Sequence, residues 1–225
     1  AVGPSLRYGD LFREAARQTR AESKTANATT GTIQAGGSGL ETPSPSEDRN
    51  PGGEPSSIPL LALLSYHPDE VRRVLQMLLP LAEAGADITY KFHPATRPEH
   101  YAPWLPVSPQ FAQGALQTAL QSIRYKKGAV LGSGSGSLAE AAALGIPVLA
   151  VQDPVPGLSL NYLPEFGQGR LWEAVESAEQ VQVALQELGT ALARPDRGQM
   201  LRQFRDLLFT EPTKERIRED FLLSD

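Results

Sequence analysis

The strongest constraint on this chain is an alternation. From residue 59 onward, short apolar runs change places with longer amphipathic stretches. Pro59–Tyr66, Gly128–Leu131 and Pro147–Val151 are apolar almost without interruption and have strand length, and Asp87–Phe92 is a further predicted strand. A strand that lacks apolar–polar alternation is one covered on both faces. Pro68–Ala84 instead repeats at the helical period, with Val71, Val74, Leu75, Leu78 and Leu79 on one face. Phe111–Ile123, Ser137–Leu144, Ala178–Ala193, Asp196–Phe209 and Thr213–Leu223 are predicted helices, and Gly169–Ala174 a further strand. Between the second strand and its following helix lies a Pro-rich loop (Pro94, Pro98, Pro103, Pro106, Pro109), with a short extended piece expected near Val107. Strand and helix in strict alternation imply an α/β fold, a doubly wound parallel sheet with helices on both faces.

The residues before this pattern differ. Asp10–Glu22 suits a short helix that Asp10 caps, with Leu11, Phe12, Ala15 and Ala16 as its apolar stripe. Ser23–Ser57 is dominated by Ala, Gly, Ser, Thr, Pro, Asn and Glu, with Ile33 and Leu40 as its rare large apolar residues. Such a stretch buries too little surface to offset its ordering entropy, and is expected to be a linker or mobile loop; a second option is that it folds against a partner domain. The expected division is 1–22, an amino-terminal segment with that helix; 23–57, the linker; 58–195, the sheet domain; and 196–225, closing helices. The start at Ala1-Val2-Gly3-Pro4 reads as a piece of something larger.

Composition removes several function classes. The 225 residues include no cysteine, which excludes disulfides, thiolate zinc sites and thiol catalysis. Three histidines, His67, His93 and His100, form no His-x₃-His pair, and no metal is expected. No run of about 18 apolar residues exists to span a membrane. A net charge of −5 argues against a nucleic-acid scaffold, although a small basic pocket is compatible with it. These features suit a reducing compartment.

In a doubly wound sheet, ligands bind at the carboxyl ends of the strands. Three loops there carry polar residues: Ser65–Asp69, Lys91–Pro94 and Gly132–Ser137. The last is the most informative. A strand runs into alternating Gly and Ser, then an Ala-rich helix, then a second strand. Gly132, Gly134 and Gly136 permit tight turning and close approach of a ligand. Ser133, Ser135 and Ser137 offer hydroxyls where free amides and the helix dipole favour a phosphate. Glu140, about one turn in, suits a ribose diol. The same residues also suit a purely structural helix start, with Glu140 closing a capping box on Ser137. The loop lacks the lysine of a Walker A motif and the Gly-x-Gly-x-x-Gly spacing. His93, at the end of a strand, can donate to a phosphate oxygen, and Lys91 alternates to the face opposite Phe92. Ser65 and His67 stand before the Pro68 helix, in reach of the same region, where Asp69 and Glu70 favour the helix dipole. Asp153 follows the last strand of the Gly/Ser unit, where turn chemistry explains it equally well.

Glu140–Val148, behind the Gly/Ser loop, resembles the Glu-Ala-x-x-x-Gly-x-Pro-Val string in the donor-binding half of GT-B glycosyltransferases. Lys91–Pro94 resembles the Lys-x-His-Pro segment of a subset: CDP-glycerol glycerophosphotransferases, bacterial sialyltransferases and polysialyltransferases, and capsule or O-antigen transferases. The resemblance covers about residues 59–188. It implies a Rossmann-like lobe of a GT-B fold with carboxyl-terminal helices. His93 with Ser135 or Ser137 would hold the nucleotide phosphate, and Glu140 the ribose. Gly136 breaks the family's Ser pair, so which serine inherits the role stays open. The implied donor is a nucleotide-activated sugar, with no further cofactor. The implied partners are a glycan acceptor and an amino-terminal domain of the same parent protein, from which residues 1–22 would be the segment crossing into this lobe. The implied location is cytoplasmic, free or peripheral at the inner membrane. Two other readings compete. A UDP-GlcNAc 2-epimerase-like lobe would need a set of carboxylates that the loops do not obviously supply. A non-catalytic nucleotide-binding module would bind without transferring.

Overall fold

The computed structural model describes residues 58–152 and 163–209. The expected helices at 10–22 and 213–223, the segment 23–57, and Asp153 lie outside the described residues. The described chain runs β1 (Leu60–Leu64), α1 (Pro68–Glu83), β2 (Ile88–Phe92), a 3₁₀ turn (Pro98–Trp104), β3 (Gln110–Phe111), α2 (Leu116–Tyr125), β4 (Ala129–Gly132), α3 (Gly136–Ala143), β5 (Val148–Val151), a 3₁₀ turn (Glu165–Gly167), β6 (Trp172–Val175), α4 (Ala178–Leu192) and α5 (Arg197–Leu208).

The six strands form one sheet in the order β3-β2-β1-β4-β5-β6, and every pairing is parallel. This is a doubly wound α/β fold of Rossmann type, as the alternation predicts. Its strand order reverses between β1 and β4, which is where such sheets open a crevice at their carboxyl edge. β1 pairs on both sides and every one of its residues is buried. That is why its sequence shows no polar alternation.

Strand parity sorts the core into two layers. Leu60, Ala62, Leu64, Ile88, Tyr90, Ala129, Leu131, Leu149, Val151 and Val175 face α1 and α4, whose Val71, Val74, Leu75, Leu78, Val181 and Leu188 complete one cluster. The other face carries α2, α3 and α5. Two glycines mark how tightly it is packed. A methyl group at Gly128 would lie 2.3 Å from the Pro59 carbonyl oxygen and 2.5 Å from Ile123 Cδ1 of α2; one at Gly132 would lie 2.8 Å from the Leu63 carbonyl oxygen and 3.1 Å from Leu138 Cδ2 of α3. α5 buries Leu201 and Phe204, packs on α3, and ties its own amino end to the sheet through an ion pair between Asp196 and Arg170.

Three local expectations are corrected. The extended piece is at Gln110–Phe111, not near Val107, which is fully exposed. Consequently α2 begins at Leu116 rather than Phe111. Phe111 fits a helical stripe by spacing, but it pairs beside Tyr90 on the sheet edge, and the Ala112 amide donates to the Tyr90 carbonyl. Gly114, at φ 73°, then turns the chain into the helix. β6 starts at Trp172 rather than Gly169, because Gly169 sits in a turn at φ 70°. The Pro-rich loop is no open coil. Its 3₁₀ turn buries Tyr101 and places Trp104 under the Arg72 guanidinium of α1, 5.2 Å from the ring centre.

Candidate functional site

The crevice is built from loops at the carboxyl ends of β1, β2 and β4. After β4, Ser133 is 4% exposed and its hydroxyl donates to Glu70 Oε2 of α1 at 3.1 Å. This bond crosses the strand-order reversal and joins the β4 loop to the first turn of α1. Gly134 follows at φ 43°, a conformation a side chain would strain. Ser135, extended at φ −117° and ψ 133°, is the N-cap of α3, and its Oγ accepts from the Ser137 amide at 3.2 Å. The capping box of Ser137 with Glu140 is therefore not the device that starts this helix. Ser137 is its second residue and half-buried, and Glu140, also half-buried, lies just beyond the first turn. Gly136, the first helical residue, is exposed, and a methyl group there would meet nothing within 4 Å. The packing of the fold does not demand a glycine at that point.

The opposite end of α3 is held by cations. Arg205 Nε donates to the Ala143 carbonyl at 2.6 Å and Arg197 Nη2 to the Gly145 carbonyl at 2.7 Å, both from α5. Burial lowers the pKa of each; at Arg205 the charge of Arg124 adds to this and Asp206 opposes it. Guanidinium groups at a helix carboxyl end complement its negative pole and leave the amino end as the positive one.

After β2, the His93 amide donates to the Leu64 carbonyl at 3.1 Å, extending the β1–β2 ladder into the loop. His93 Nδ1 accepts from the Ala95 amide at 3.2 Å. A ring nitrogen that accepts carries no proton, so the proton of the neutral imidazole sits on Nε2, as a donor. The loop is tied to its neighbour by Thr96, whose hydroxyl donates to the Ser65 carbonyl at 3.4 Å. After β1, Ser65 Oγ accepts from the His67 amide at 3.1 Å, and His67 is the N-cap position of α1 without a side-chain capping bond. Tyr66, between them, stands 60% exposed, with its ring centre 4.0 Å from that of His67 and 5.5 Å from that of His93.

The structure thus gathers Ser65, His67 and His93 on the β1–β2 side of the crevice and Ser133, Ser135, Gly136, Ser137 and Glu140 on the β4 side. Lys91 stays outside this group: its Nζ donates to the Gly114 carbonyl at 2.7 Å and so holds the turn before α2. Asp153 lies outside the described residues. Two further side chains join this edge without a local sequence signal. Glu70 reads in the sequence as a residue that complements the helix dipole, and only the fold brings it to Ser133. Tyr66 lies within the Ser65–Asp69 loop, but its exposure is a property of the tertiary structure. Among the described residues no cluster of three or more His, Asp or Glu side chains suits a metal ion, and no helix is long and apolar enough to cross a membrane.

No family model matches the sequence, and no curated protein sequence matches it. Several solved structures are similar. One is a glycosyl transferase family 9 protein from Veillonella parvula, 13% identical, with a TM-score of 0.38 over 69% of this chain and 47% of that one. Another is a protein assigned as a UDP-N-acetylglucosamine 2-epimerase from Listeria monocytogenes, 16% identical, with a TM-score of 0.45 over 76% of this chain and 47% of that one. A third is the wall teichoic acid polymerase TagF, 11% identical, with a TM-score of 0.41 over 70% of this chain and 42% of that one. The chain spans less than half the length of each.

Proposed function

We propose that this chain is the donor-binding lobe of a GT-B-type glycosyltransferase that builds a bacterial surface polysaccharide. One observation carries the reading: the Ser135-capped start of α3 and the imidazole of His93 flank the same strand-order reversal, on loops locked by the Ser133–Glu70 and Thr96–Ser65 bonds. The resemblance of Lys91–Pro94 and Glu140–Val148 to that family's motifs supports it independently. The donor is a nucleotide-activated sugar. Its phosphate lies at the amino end of α3, accepting from helix amides, from a hydroxyl of the Ser135–Ser137 loop and from His93 Nε2. Glu140 faces the ribose. As the bond from sugar to phosphate breaks, negative charge grows on the leaving phosphate, and fixed donors that need no reorganisation lower that barrier. The acceptor glycan binds a second lobe of the same parent protein, and the enzyme works in the cytoplasm, free or attached at the inner membrane face.

Titration calorimetry with CMP, CDP, UDP and GDP tests the reading. At least one of them binds, and His93→Ala or Ser135→Ala weakens it by about 1–3 kcal/mol, the worth of a charge-assisted hydrogen bond. Gly136→Ala leaves the melting temperature in place, since nothing surrounds the new methyl group, but impairs nucleotide binding. A folded sample that binds none of the four nucleotides refutes the proposal. The 2-epimerase-like reading would require carboxylates that act on the sugar; Glu70 is the carboxylate seen bridging the crevice, and it is committed to Ser133.

A further inference from the structure

We infer that Tyr66 is the platform on which the transferred sugar ring of the donor stacks, an inference that rests on the donor-site reading above. The ring is large, apolar on both faces and 60% exposed at the carboxyl edge of β1. Exposure of this kind is unfavourable for the isolated fold, because apolar surface left in water forgoes about 25 cal/mol per Å². Yet the ring is braced. Its backbone neighbours are fixed by the Ser65–His67 and Thr96–Ser65 hydrogen bonds, and the imidazoles of His67 and His93 stand at 4.0 and 5.5 Å, tilted by 36° and 57°. A ring so held presents a face without losing conformational entropy when a ligand arrives.

Topology selects which part of the ligand meets it. With the phosphate at the start of α3, beside β4, the crevice continues in two directions. Toward β5 lie Ser137 and Glu140, which offer hydrogen bonds to a ribose. Toward β2 lie Tyr66, at the end of β1, and then His93, at the end of β2. A nucleoside placed on the α3 side leaves the group beyond the phosphate on the Tyr66 side. The axial C–H bonds of a pyranose form an apolar face that packs on an aromatic ring, while its hydroxyls remain at the rim, within the range of polar partners such as the imidazole of His67. Tyr and Trp are suited to such contacts because they combine large area with little rotamer entropy.

The test compares each nucleotide with its sugar conjugate on the full chain by calorimetry: UDP with UDP-glucose, GDP with GDP-mannose, CDP with CDP-glucose and CMP with CMP-N-acetylneuraminate. Tyr66→Ala and Tyr66→Leu weaken binding of the preferred conjugate by about three- to tenfold, the range of an aromatic stacking contact, and leave its parent nucleotide within twofold. Tyr66→Phe retains both affinities. An equal loss on nucleotide and conjugate means that Tyr66 acts through the phosphate site and overturns the inference. So does an unchanged affinity for the conjugate in both variants. If the unaltered chain binds no nucleotide at all, the donor-site reading itself falls and takes this inference with it. If it binds nucleotides and the Tyr66 variants behave like wild type, only the stacking role falls.

Discussion

Replacing Tyr90 by Phe is expected to make this fold more stable, and increasingly so in alkali. Tyr90 sits in the middle of β2, 1% exposed, in the same apolar cluster as Val71, Leu75 and Tyr101. Its hydroxyl is buried and has no hydrogen-bond partner among the described residues. A hydroxyl taken from water without a replacement bond costs about 1–3 kcal/mol, and the phenylalanine ring fills the same space. The variant should therefore gain about 1–2 kcal/mol at neutral pH. The same burial pushes the phenol from 10.0 up to about 12. The sign follows from linkage. The folded pKa lies above the unfolded one, so the neutral phenol's contribution is fully present below pH 10 and is lost as the pH rises through about 12. Near pH 11 the unfolded phenol is mostly ionised and the folded one mostly neutral, which widens the gap to the variant by about 1 kcal/mol. Urea unfolding followed by tryptophan fluorescence, at neutral pH and near pH 11, measures both effects. The other tyrosines are common to the two proteins and cancel in the difference. A variant less stable than wild type at neutral pH would show that the hydroxyl has a partner. A gap that stays flat up to about pH 11 would refute the desolvation argument.

Other outcomes follow from the packing around the crevice. Gly128→Ala should cost about 3 kcal/mol or more, because the methyl group meets the Pro59 carbonyl that also accepts the Ala129 amide at 2.9 Å; an unchanged melting temperature would contradict the tight β1–β4 approach. Arg205→Met keeps the apolar stem but leaves the Ala143 carbonyl without its donor, and should cost about 1–2 kcal/mol, with faster amide exchange in the last turn of α3. Protection there equal to wild type would deny the guanidinium its role in holding that end. Ser133→Ala removes the bond to Glu70 and should cost about 1 kcal/mol in a denaturant titration, whereas an unaltered midpoint would mean that the two loops hold their positions without it.

Much of this protein is legible in its residues alone. Apolar runs without alternation forced a sheet covered on both faces, and the helical stretches between them forced parallel pairing, because a strand followed by a helix returns to the sheet in the same direction. The Gly/Ser loop and His93 could be placed at the carboxyl ends of strands for the same reason. Where several local devices were compatible with one string, spacing could not choose. Ser135 and Ser137 are both good caps, and only the backbone conformation at Ser135 decides between them. Phe111 has a helical spacing, yet the hydrogen bonds available beside β2 are non-local and outweigh it.

The sequence by itself determined the layers and the order of strands and helices from β4 to α3 and β5, since these follow from which residues must leave water and at what period. The tertiary structure alone decided the contacts between segments far apart in the chain. Glu70 and Ser133 meet only because β1 and β4 are neighbours in the sheet. Lys91 is drawn away from the crevice because its strand face puts it beside Gly114. Tyr66 and His93 share a wall because β1 and β2 pair in register. Each of these is a matter of proximity in space, set by strand order and register, and no local pattern of residues encodes it.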